Sequence, residues 1–479
     1  LINLKGKITG ENGMNILLLI AFLLTEIGLV TFTLTEQRQK KQWHFNRLYA
    51  NVLELSLYLV FACFPGIDFS FRYKGLLIIL LVRILIKAIF TFINRNKTGR
   101  KSIASTVISA LLAMCLLGTA MLPAFLFADY KGREVTGSYK IAQTEAILVD
   151  ESREETFEND GSKREVPVHF YYPEDAGDGE TFPLVIFSHG AFGYYQSNSS
   201  TYMELASHGY VVVSLDHPYH SFFCKDTDGK IITVNQEFMN DVMKVNEDAI
   251  PESEIISLSS TWLKLRTEDI SFVIDSIEHY NKDGKLDESW FVKVNQDMIL
   301  KALDMVDTDK IGLMGHSLGG ASSVELGRVR DDIDAVIDLD GTMLSEQKGV
   351  VECEPYEFEG IRYHEKYILD ETPYPVPLFA MDSVLHHESR VGAKAIDMPY
   401  ANNTVLENAV EGYETYIVDT AHMNFTDLPL FAPFLGKMLG TGTIDAGKCV
   451  DIMNDLVLKF YDAKLKDMGT FEVKDCYGN

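Results

Sequence analysis

The chain has 479 residues, of which 47% are hydrophobic, and a formal net charge of −26. The charge is unevenly divided: residues 1–128 hold 14 Lys and Arg against 5 Asp and Glu, whereas the remaining residues hold 29 against 64. So acidic a C-terminal part repels nucleic acid and anionic lipid headgroups. The composition therefore argues against a nucleic-acid partner and against attachment to a bilayer through a basic patch.

The first 128 residues contain four long apolar segments, at 15–34, 47–64, 75–93 and 103–127. Each approaches or exceeds the ~20 residues that a helix needs to cross a bilayer. A cleaved signal peptide fits poorly because the pattern occurs four times. We expect residues 1–128 to be a four-helix transmembrane region whose partner is the membrane. Met14 directly precedes the first segment, so the start residue is either Leu1 or Met14.

The loops between these segments predict an orientation. Residues 36–47 and 94–101 each hold four Lys or Arg, including Arg38 and Lys97, whereas residues 65–74 hold two. Because cytoplasmic loops carry the excess of positive charge, the first two stretches are expected in the cytoplasm. Four spans then place both termini outside, which predicts a multi-pass protein of the cell membrane with an extracytoplasmic C-terminal domain.

Four ionisable residues lie within the predicted spans, namely Glu26, Glu54, Arg83 and Lys87. Such groups are costly in lipid and usually face the interior of a helix bundle. Arg83 and Lys87 are four residues apart, so they share one helix face, and the two glutamates could pair with them. Interhelical ion pairing is favoured over a transport or substrate-entry site.

After a linker and edge segment at 129–165, residues 166–479 are predicted to form one large α/β domain. Apolar, β-prone runs recur along this part and alternate with stretches of helical spacing. Residues 349–374 and 384–411 are long inserts, and long ordered loops often serve function. We therefore expect a lid or part of a substrate pocket from them.

The clearest chemical signal is Gly315-His316-Ser317-Leu318-Gly319, which follows an apolar run and precedes a helix-compatible stretch at 321–328. Strand, tight turn and helix around G-x-S-x-G predict a nucleophile elbow. The turn imposes strained backbone angles on Ser317, and the glycines let strand and helix approach closely. Ser317 would then stand at a helix N-terminus, where developing negative charge is favoured.

A second buried strand, at 182–188, leads into His189-Gly190. In α/β-hydrolases the loop after such a strand supplies one backbone N–H of the oxyanion hole. Ala191 is the natural donor there, and Leu318, next after the nucleophile, would supply the second. His189 and His316 are expected to shape their turns, and His217 either contacts substrate or bonds to backbone at a strand end.

The acid and the base are sought at the same edge of the sheet, where ligands and reactive groups gather in open α/β folds. Asp340 ends one predicted strand, and His422 follows the last one. The order Ser317, Asp340, His422 is that of the α/β-hydrolase triad. Asp382 ends the next strand and is an alternative acid. Asp338 shares the strand face of Asp340 and is either structural or assists the site.

Several motifs together resemble one known family. They are Pro183-Leu-Val-Ile-Phe-Ser-His-Gly190, Leu205-Ala-Ser-His-Gly-Tyr-Val-Val-Val213, Gly315-His-Ser-Leu-Gly-Gly320, Leu339-Asp-Gly341 and Ala421-His-Met-Asn-Phe-Thr-Asp427. Over roughly residues 165–435 the chain resembles the platelet-activating-factor acetylhydrolase family of the lipoprotein-associated (group VII) phospholipase A2 type.

This resemblance implies the α/β-hydrolase fold, a mostly parallel central sheet with helices on both faces, here preceded by four transmembrane helices. It places the triad acid just after the strand that follows the nucleophile helix, which favours Asp340. The chain is also similar to dienelactone-hydrolase-like and cutinase-like esterases, which place the acid one strand later, at Asp382.

The combined prediction is a membrane-tethered serine esterase acting through an acyl-enzyme. The resemblance implies short-acyl, platelet-activating-factor-like phospholipids as substrates. Neither a metal nor an organic cofactor is expected, since no His or Glu cluster accompanies Asp338 and Asp340. The alternatives are a general carboxylesterase or polyester-type hydrolase, an acyltransferase, and a membrane sensor or transporter component with a degenerate hydrolase domain. The oligomeric state and cysteine pairing stay open.

Overall fold

The computed structural model describes residues 11–35, 39–64, 66–96, 98–130, 132–247, 249–293 and 295–478. The predicted loop cations Arg38 and Lys97 and the alternative start at Leu1 lie outside these ranges. The chain divides into two compact units. The smaller comprises Leu1–Lys131 and Leu430–Met438, and the larger comprises Gly132–Pro429 and Leu439–Asn479.

The smaller unit contains four long helices, α1 (Glu11–Thr35), α2 (Lys40–Phe61), α3 (Phe71–Ile93) and α4 (Ile103–Leu126). Among the described helices, three are long and apolar enough to cross a membrane: α1 from Gly13 onward, α3 and α4. The prediction of four such spans is therefore corrected to three. Helix α2 forms, but it begins in the charged stretch at Lys40, and its polar side chains lower its mean hydropathy.

Ion pairs link the helices inside this unit. Glu26 on α1 pairs with Arg47 on α2 and, at 3.1 Å, with Arg83 on α3. Arg83 also lies 2.7 Å from the carboxylate of Glu54 on α2. The predicted pairing of Arg83 with both glutamates is thus present, whereas the second cation is Arg47. Lys87 instead lies over the ring of Phe90, 5.7 Å from its centroid.

The larger unit is built on a ten-stranded sheet in the order β14-β13-β12-β9-β8-β3-β4-β2-β1-β7. Its strands are β1 (Ile141–Glu154), β2 (Lys163–Pro173), β3 (Phe182–Ser188), β4 (Val211–Leu215), β7 (Trp290–Phe291), β8 (Val306–His316), β9 (Ala335–Leu339), β12 (Leu378–Asp382), β13 (Gly412–Ile417) and β14 (Cys476–Tyr477). The neighbours from β14 to β4 are parallel, and β2, β1 and β7 are added antiparallel. This is the predicted mostly parallel sheet.

Helices connect and cover these strands. They are α5 (Ser199–Ser207), α6 (Gln236–Asn246), α7 (Glu252–Asp283), α8 (Gln296–Asp304), α9 (Leu318–Val329), α10 (Val384–Ala395), α11 (Ala401–Asn408), α12 (Leu428–Phe431) and α14 (Ala446–Leu465), while α13 (Pro433–Met438) belongs to the smaller unit. The β3-α5-β4 and β8-α9-β9 connections run in opposite directions along the sheet. Because such crossovers are right-handed, α5 and α9 cover opposite faces.

The central strands are buried along their whole length. Every residue of β3, β4, β9 and β12 is buried. Parallel strands covered on both faces read as continuous apolar runs, which is why the sequence made them recognisable. Their carboxyl ends lie at one edge of the sheet, and the predicted site residues follow those ends.

The predicted inserts have regular structure. Two short strands, β5 (Phe223–Lys225) and β6 (Ile231–Thr233), pair as a hairpin, and so do β10 (Gln347–Phe358) and β11 (Ile361–Leu369). Residues 384–411 form α10 and α11, with α10 starting directly after β12. The segment at 129–165 contains the 14-residue β1, one strand in from the sheet edge. Cys63, Cys115, Cys224, Cys353 and Cys449 are free thiols.

Candidate active site

Ser317 sits in the tight turn between β8 and α9 with strained backbone angles, φ 57° and ψ −124°. A serine rarely adopts a positive φ, so the surrounding structure must hold it there. Its N–H donates to the carbonyl of Leu339 at 2.9 Å, and its own carbonyl accepts from the N–H of Ala321 at 3.0 Å. The turn is thereby fixed to the neighbouring strand β9 and to the first turn of α9.

The glycines of the motif allow this turn to form. A Cβ on Gly315 would overlap the backbone carbonyl of Gly319, and a Cβ on Gly319 would overlap the carbonyl of Ser188 at the end of β3. Neither obstacle is a flexible side chain that could move aside. The close approach of α9 to β8 and β3 therefore requires glycine at both positions.

His422 begins the short 3₁₀ helix His422–Phe425 that follows β13. Its Nδ1 lies 2.7 Å from Oδ2 of Asp340, and about half of its side chain is exposed. Its ring centroid is 4.5 Å from that of His316, whose Nε2 donates to the His422 carbonyl at 3.1 Å. Because His316 directly precedes Ser317, this contact brings the predicted base to the nucleophile turn.

Asp340 follows β9 and adopts φ 55°. While Oδ2 faces His422, Oδ1 accepts the N–H of Ser383 at 2.5 Å and lies 3.3 Å from Nδ1 of His386. Burial raises the pKa of this carboxyl, but the hydrogen bonds from His386 and His422 outweigh burial and lower it well below its usual range. An ionised Asp340 accepts hydrogen bonds and donates none. The Nδ1 of His422 therefore carries the proton, and its Nε2 is left as a base.

Asp382, the alternative acid, has other partners. Its Oδ2 accepts from the guanidinium of Arg390, and its Oδ1 lies 3.6 Å from Nδ1 of His386. Arg390 in turn pairs with Glu414 on β13. The structure therefore brings Asp340 to His422 and engages Asp382 in a separate ion pair one strand away.

Asp338 is fully buried beneath the turn. Its Oδ1 accepts the N–H of Gly341 at 3.1 Å, and a Cβ on Gly320 would overlap the same oxygen. Burial raises the pKa of Asp338 well above the usual range of a carboxyl group. Asp338 braces the turn that carries Asp340, which is the structural reading of the sequence.

The loop after β3 passes close to the nucleophile. A Cβ on Gly190 would lie 3.1 Å from the Cβ of Ser317. The Gly190 carbonyl accepts from three donors: Nδ1 of His189 at 2.6 Å, the N–H of Gly193 at 3.1 Å and the guanidinium of Arg266 at 3.3 Å. These bonds fix the plane of the Gly190–Ala191 peptide. In a trans peptide the Ala191 N–H then points away from them.

Leu318, the second predicted oxyanion donor, opens helix α9 directly after Ser317. It belongs to an apolar cluster with Phe238 and Trp262, against which Ala191 and Phe192 also pack. Both predicted donors are therefore bordered by the same aromatic wall, which α6 and α7 supply. Helices α6 and α7 thus contribute an apolar surface next to the nucleophile turn.

Comparison with known proteins agrees with this architecture. Residues 158–355 match the family model of platelet-activating factor acetylhydrolase, isoform II. The platelet-activating factor acetylhydrolase of Canis lupus familiaris is 24% identical over 299 residues, covering 60% of this chain and 58% of that protein. The Bos taurus protein of the same name is 28% identical over 155 residues, covering 31% of this chain and 32% of that one.

A probable 1-alkyl-2-acetylglycerophosphocholine esterase of Arthroderma benhamiae is 27% identical over 172 residues, covering 36% of this chain and 34% of that protein. These matches all lie with proteins named as acetylhydrolases or esterases of this kind, and the chain is similar to that family over the matched residues. The chain spans 58% or less of the length of these three relatives. A solved ferulic acid esterase from Streptomyces cinnamoneus aligns with 72% of this chain and 95% of that chain, with a TM-score of 0.47 and 18% identity.

In the larger unit a second chain of hydrogen bonds lies next to the loop that carries Gly190. The hydroxyl of Ser188 is 2.9 Å from Nε2 of His217, whose Nδ1 is 2.9 Å from Oδ2 of Asp269. All three side chains are fully buried, and Arg164 pairs with Asp269. Burial and the nearby Arg266 lower the pKa of His217 to about 4. His217 therefore neither faces substrate nor simply caps a strand end; it is a neutral bridge between two side chains.

One group in the described part of the chain has the composition of a metal site. Ligand atoms of Asp340, Asp382 and His386 lie within 4.8 Å of one another. No cation site was expected because no His or Glu cluster accompanies Asp338 and Asp340 along the chain, whereas the fold brings His386 to Asp340. However, the guanidinium of Arg390 already balances Asp382, so the carboxylates do not require an ion.

Two site residues escaped assignment from sequence. His386 lies next to both Asp340 and Asp382. The sequence feature that could have revealed it is its position in the first turn of α10, four residues after Asp382 and three after the capping Ser383. Arg266, on α7, donates to the carbonyls of His189 and Gly190 and so supports the loop after β3. By its sequence alone, a single arginine in an amphipathic helix indicates a surface residue. Both act across long sequence separations, which local patterns do not encode.

Proposed function

We propose that this protein is a membrane-tethered serine esterase with Ser317 as nucleophile, His422 as base and Asp340 as acid. The observation that carries the proposal is the 2.7 Å hydrogen bond between His422 and Asp340 beside a strained Ser317 turn. A serine held at positive φ costs conformational energy, and residues strained in this way occur mainly at functional sites. The match to the acetylhydrolase family model and the names of the relatives add support.

In the proposed mechanism Nε2 of His422 takes the proton of Ser317 as its Oγ attacks the ester carbonyl. Asp340 holds the imidazole in the required tautomer and stabilises the imidazolium that forms. The N–H groups of Ala191 and Leu318 bind the oxyanion, and each such donor contributes about 3 kcal/mol to the transition state. Water then attacks the acyl-enzyme, with His422 again as base.

The neighbouring His316 favours this cycle because it stays uncharged. Burial and then the nearby His422 lower the pKa of His316 to about 3. A second imidazolium only 4.5 Å away would oppose the positive charge that His422 must gain. With His316 neutral, the proton taken from Ser317 is stabilised by Asp340 alone.

The proposed substrates are esters with short acyl groups, among them phospholipids of the platelet-activating-factor type. The names of the relatives support this class. The bulky side chains of Phe238 and Trp262 beside Leu318 support it independently, because they fill space near the oxyanion donors. A longer acyl chain would require that aromatic wall to move.

We also propose that α2 crosses the membrane together with α1, α3 and α4, although its composition alone does not qualify it. The carboxylate of Glu54 is fully buried against Arg83, and Arg47 is buried against Glu26. With these charges paired inside the bundle, α2 presents mainly apolar side chains outward, such as Leu53 and Leu59. Paired charges inside a bundle are compatible with lipid.

Fluorophosphonate labelling of the full-length protein in detergent micelles tests the esterase proposal. The wild-type protein should be labelled, and Ser317→Ala should not. Ser323→Ala is a matched control, because Ser323 is also a buried serine of α9 and its hydroxyl bonds only within the helix, to the carbonyl of Gly319. It should keep labelling and activity.

Turnover of acyl esters of increasing chain length completes the experiment. Acetyl and other short-chain esters should be hydrolysed best. Absence of labelling in a folded wild-type protein would contradict the esterase proposal. A flat or rising chain-length profile would leave the esterase intact but contradict the short-acyl substrate class.

A further inference from the structure

His386 lies between two carboxylates at the edge of the site. Its Nδ1 is 3.3 Å from Oδ1 of Asp340 and 3.6 Å from Oδ1 of Asp382, and only 10% of its side chain is exposed. The start of α10 fixes this position. The N–H of Ser383 donates to the same Asp340 oxygen at 2.5 Å, and the Ser383 hydroxyl caps the helix at the N–H of His386.

The surroundings of His386 favour its charged form. The ionisable groups facing it come from β9, β12, its own helix and the start of α11; they are Asp338, Asp340, Asp382, Arg390 and Tyr400. Burial lowers the pKa of His386, but Asp382 and then Asp340 outweigh burial and raise it to about 9. His386 is therefore an imidazolium at neutral pH.

We propose that His386 is a positioning residue of the triad: its imidazolium holds one oxygen of Asp340 so that the other stays directed at His422. This inference rests on the proposed function. Asp340 and Asp382 end adjacent strands, and two carboxylates this close repel unless a cation lies between them. His386 is that cation, and Arg390 neutralises the far side of Asp382.

The charge of His386 has a consequence for catalysis. The imidazolium of His386 attracts the Asp340 carboxylate more strongly than a neutral ring would, so the hold on Asp340 depends on the charge. In the wild-type protein the charge itself is lost near pH 9, so activity should also decline there.

The test is the pH dependence of kcat/KM for p-nitrophenyl acetate with the full-length protein in detergent. In His386→Gln the decline near pH 9 should disappear, and kcat should fall about 10- to 100-fold with little change in KM. His387→Gln is the matched control, because this adjacent histidine of α10 stacks on Tyr416, 4.0 Å between centroids, rather than on the acid. Its profile should be that of wild type.

A second variant keeps the inference testable if His386→Gln does not fold. Asp382→Asn removes one of the two carboxylates that hold His386 charged, so the alkaline decline should move to lower pH. A wild-type profile in His386→Gln, or an unmoved alkaline limb in Asp382→Asn, would overturn the role of His386. Failure of the esterase proposal is distinguishable, because then the wild-type protein itself would neither react with fluorophosphonate nor hydrolyse the ester.

Discussion

Asp340 and Asp382 show how two chemically identical residues acquire different roles. Both are buried and follow adjacent parallel strands. Asp340 turns with a positive φ, which directs one oxygen to His422, whereas Asp382 is still the last residue of its strand and bonds to Arg390. The proposed acid, Asp340, therefore differs from Asp382 in the residues it contacts and not in its chemistry.

At this scale we predict different effects for the two amide substitutions. Asp340→Asn should lower kcat by about 10⁴-fold, because an asparagine favours the wrong tautomer of His422. Asp382→Asn should cost no more than about tenfold at pH 7, since it only loosens the support behind Asp340. Steady-state kinetics with a short-chain ester measures both. A larger loss in Asp382→Asn would assign the acid to the later strand.

At the scale of elements, the nucleophile turn depends on how tightly α9 packs against β3 and β8. The N-terminus of α9 approaches the end of β3 so closely that Gly319 has no room for a side chain. The same approach brings Ser317 next to the Gly190 loop. The close packing of α9 on β3 and the position of Ser317 beside the Gly190 loop therefore have one cause, the absence of a Cβ at Gly319.

We predict that Gly319→Ala shifts α9 away from β3, because the added Cβ would meet the rigid carbonyl of Ser188. Overpacking of this kind typically costs about 1–3 kcal/mol, which corresponds to a melting temperature lower by about 2–5 °C for a unit of this size. Fluorophosphonate labelling should be lost as well. Thermal denaturation followed by circular dichroism measures the first effect.

The control is Gly392→Ala in the middle of α10, where the nearest atom to the new Cβ is a ring carbon of Phe358 at 3.3 Å. That side chain can give way, and alanine favours a helix interior. This variant should melt within a few degrees of wild type and retain activity. A Gly319→Ala protein as stable and active as the control would refute the close-packing argument.

At the scale of the whole molecule, the chain joins an apolar helical unit to a strongly acidic α/β unit. Three of the described N-terminal helices are apolar and long enough for membrane insertion. The other unit holds most of the acidic residues of the chain around a buried sheet. The sequence therefore separates an apolar part from a strongly acidic part.

We predict that the α/β unit faces the extracytoplasmic side. Proteinase K added to intact cells that express the full-length protein should digest this unit, while a cytoplasmic marker protein stays whole. The reason is the excess of Lys and Arg in the stretches at 36–47 and 94–101. Both stretches are placed in the cytoplasm if α2 also crosses the membrane, as proposed above. Protection of the α/β unit until the cells are permeabilised would reverse the proposed orientation.

The sequence by itself determined the sheet and its nucleophile turn. Parallel strands buried on both faces appear as continuous apolar runs, and G-x-S-x-G between such a run and a helix has few other structural solutions. Helix α2 does not qualify as a span by composition, because it includes the polar residues from Lys40 onward that the predicted segment at 47–64 left out. Its charges are nevertheless paired inside the bundle.

Only the tertiary structure decided which side chains meet across long separations. His386 reaches Asp340, Arg266 reaches the Gly190 loop, and His217 joins Ser188 to Asp269. Local periodicity reports which face of an element is buried, but it does not report which neighbour a buried polar group will find. Those partners are set by strand order and by helix packing, because every buried charge must find a counterpart wherever the fold brings one.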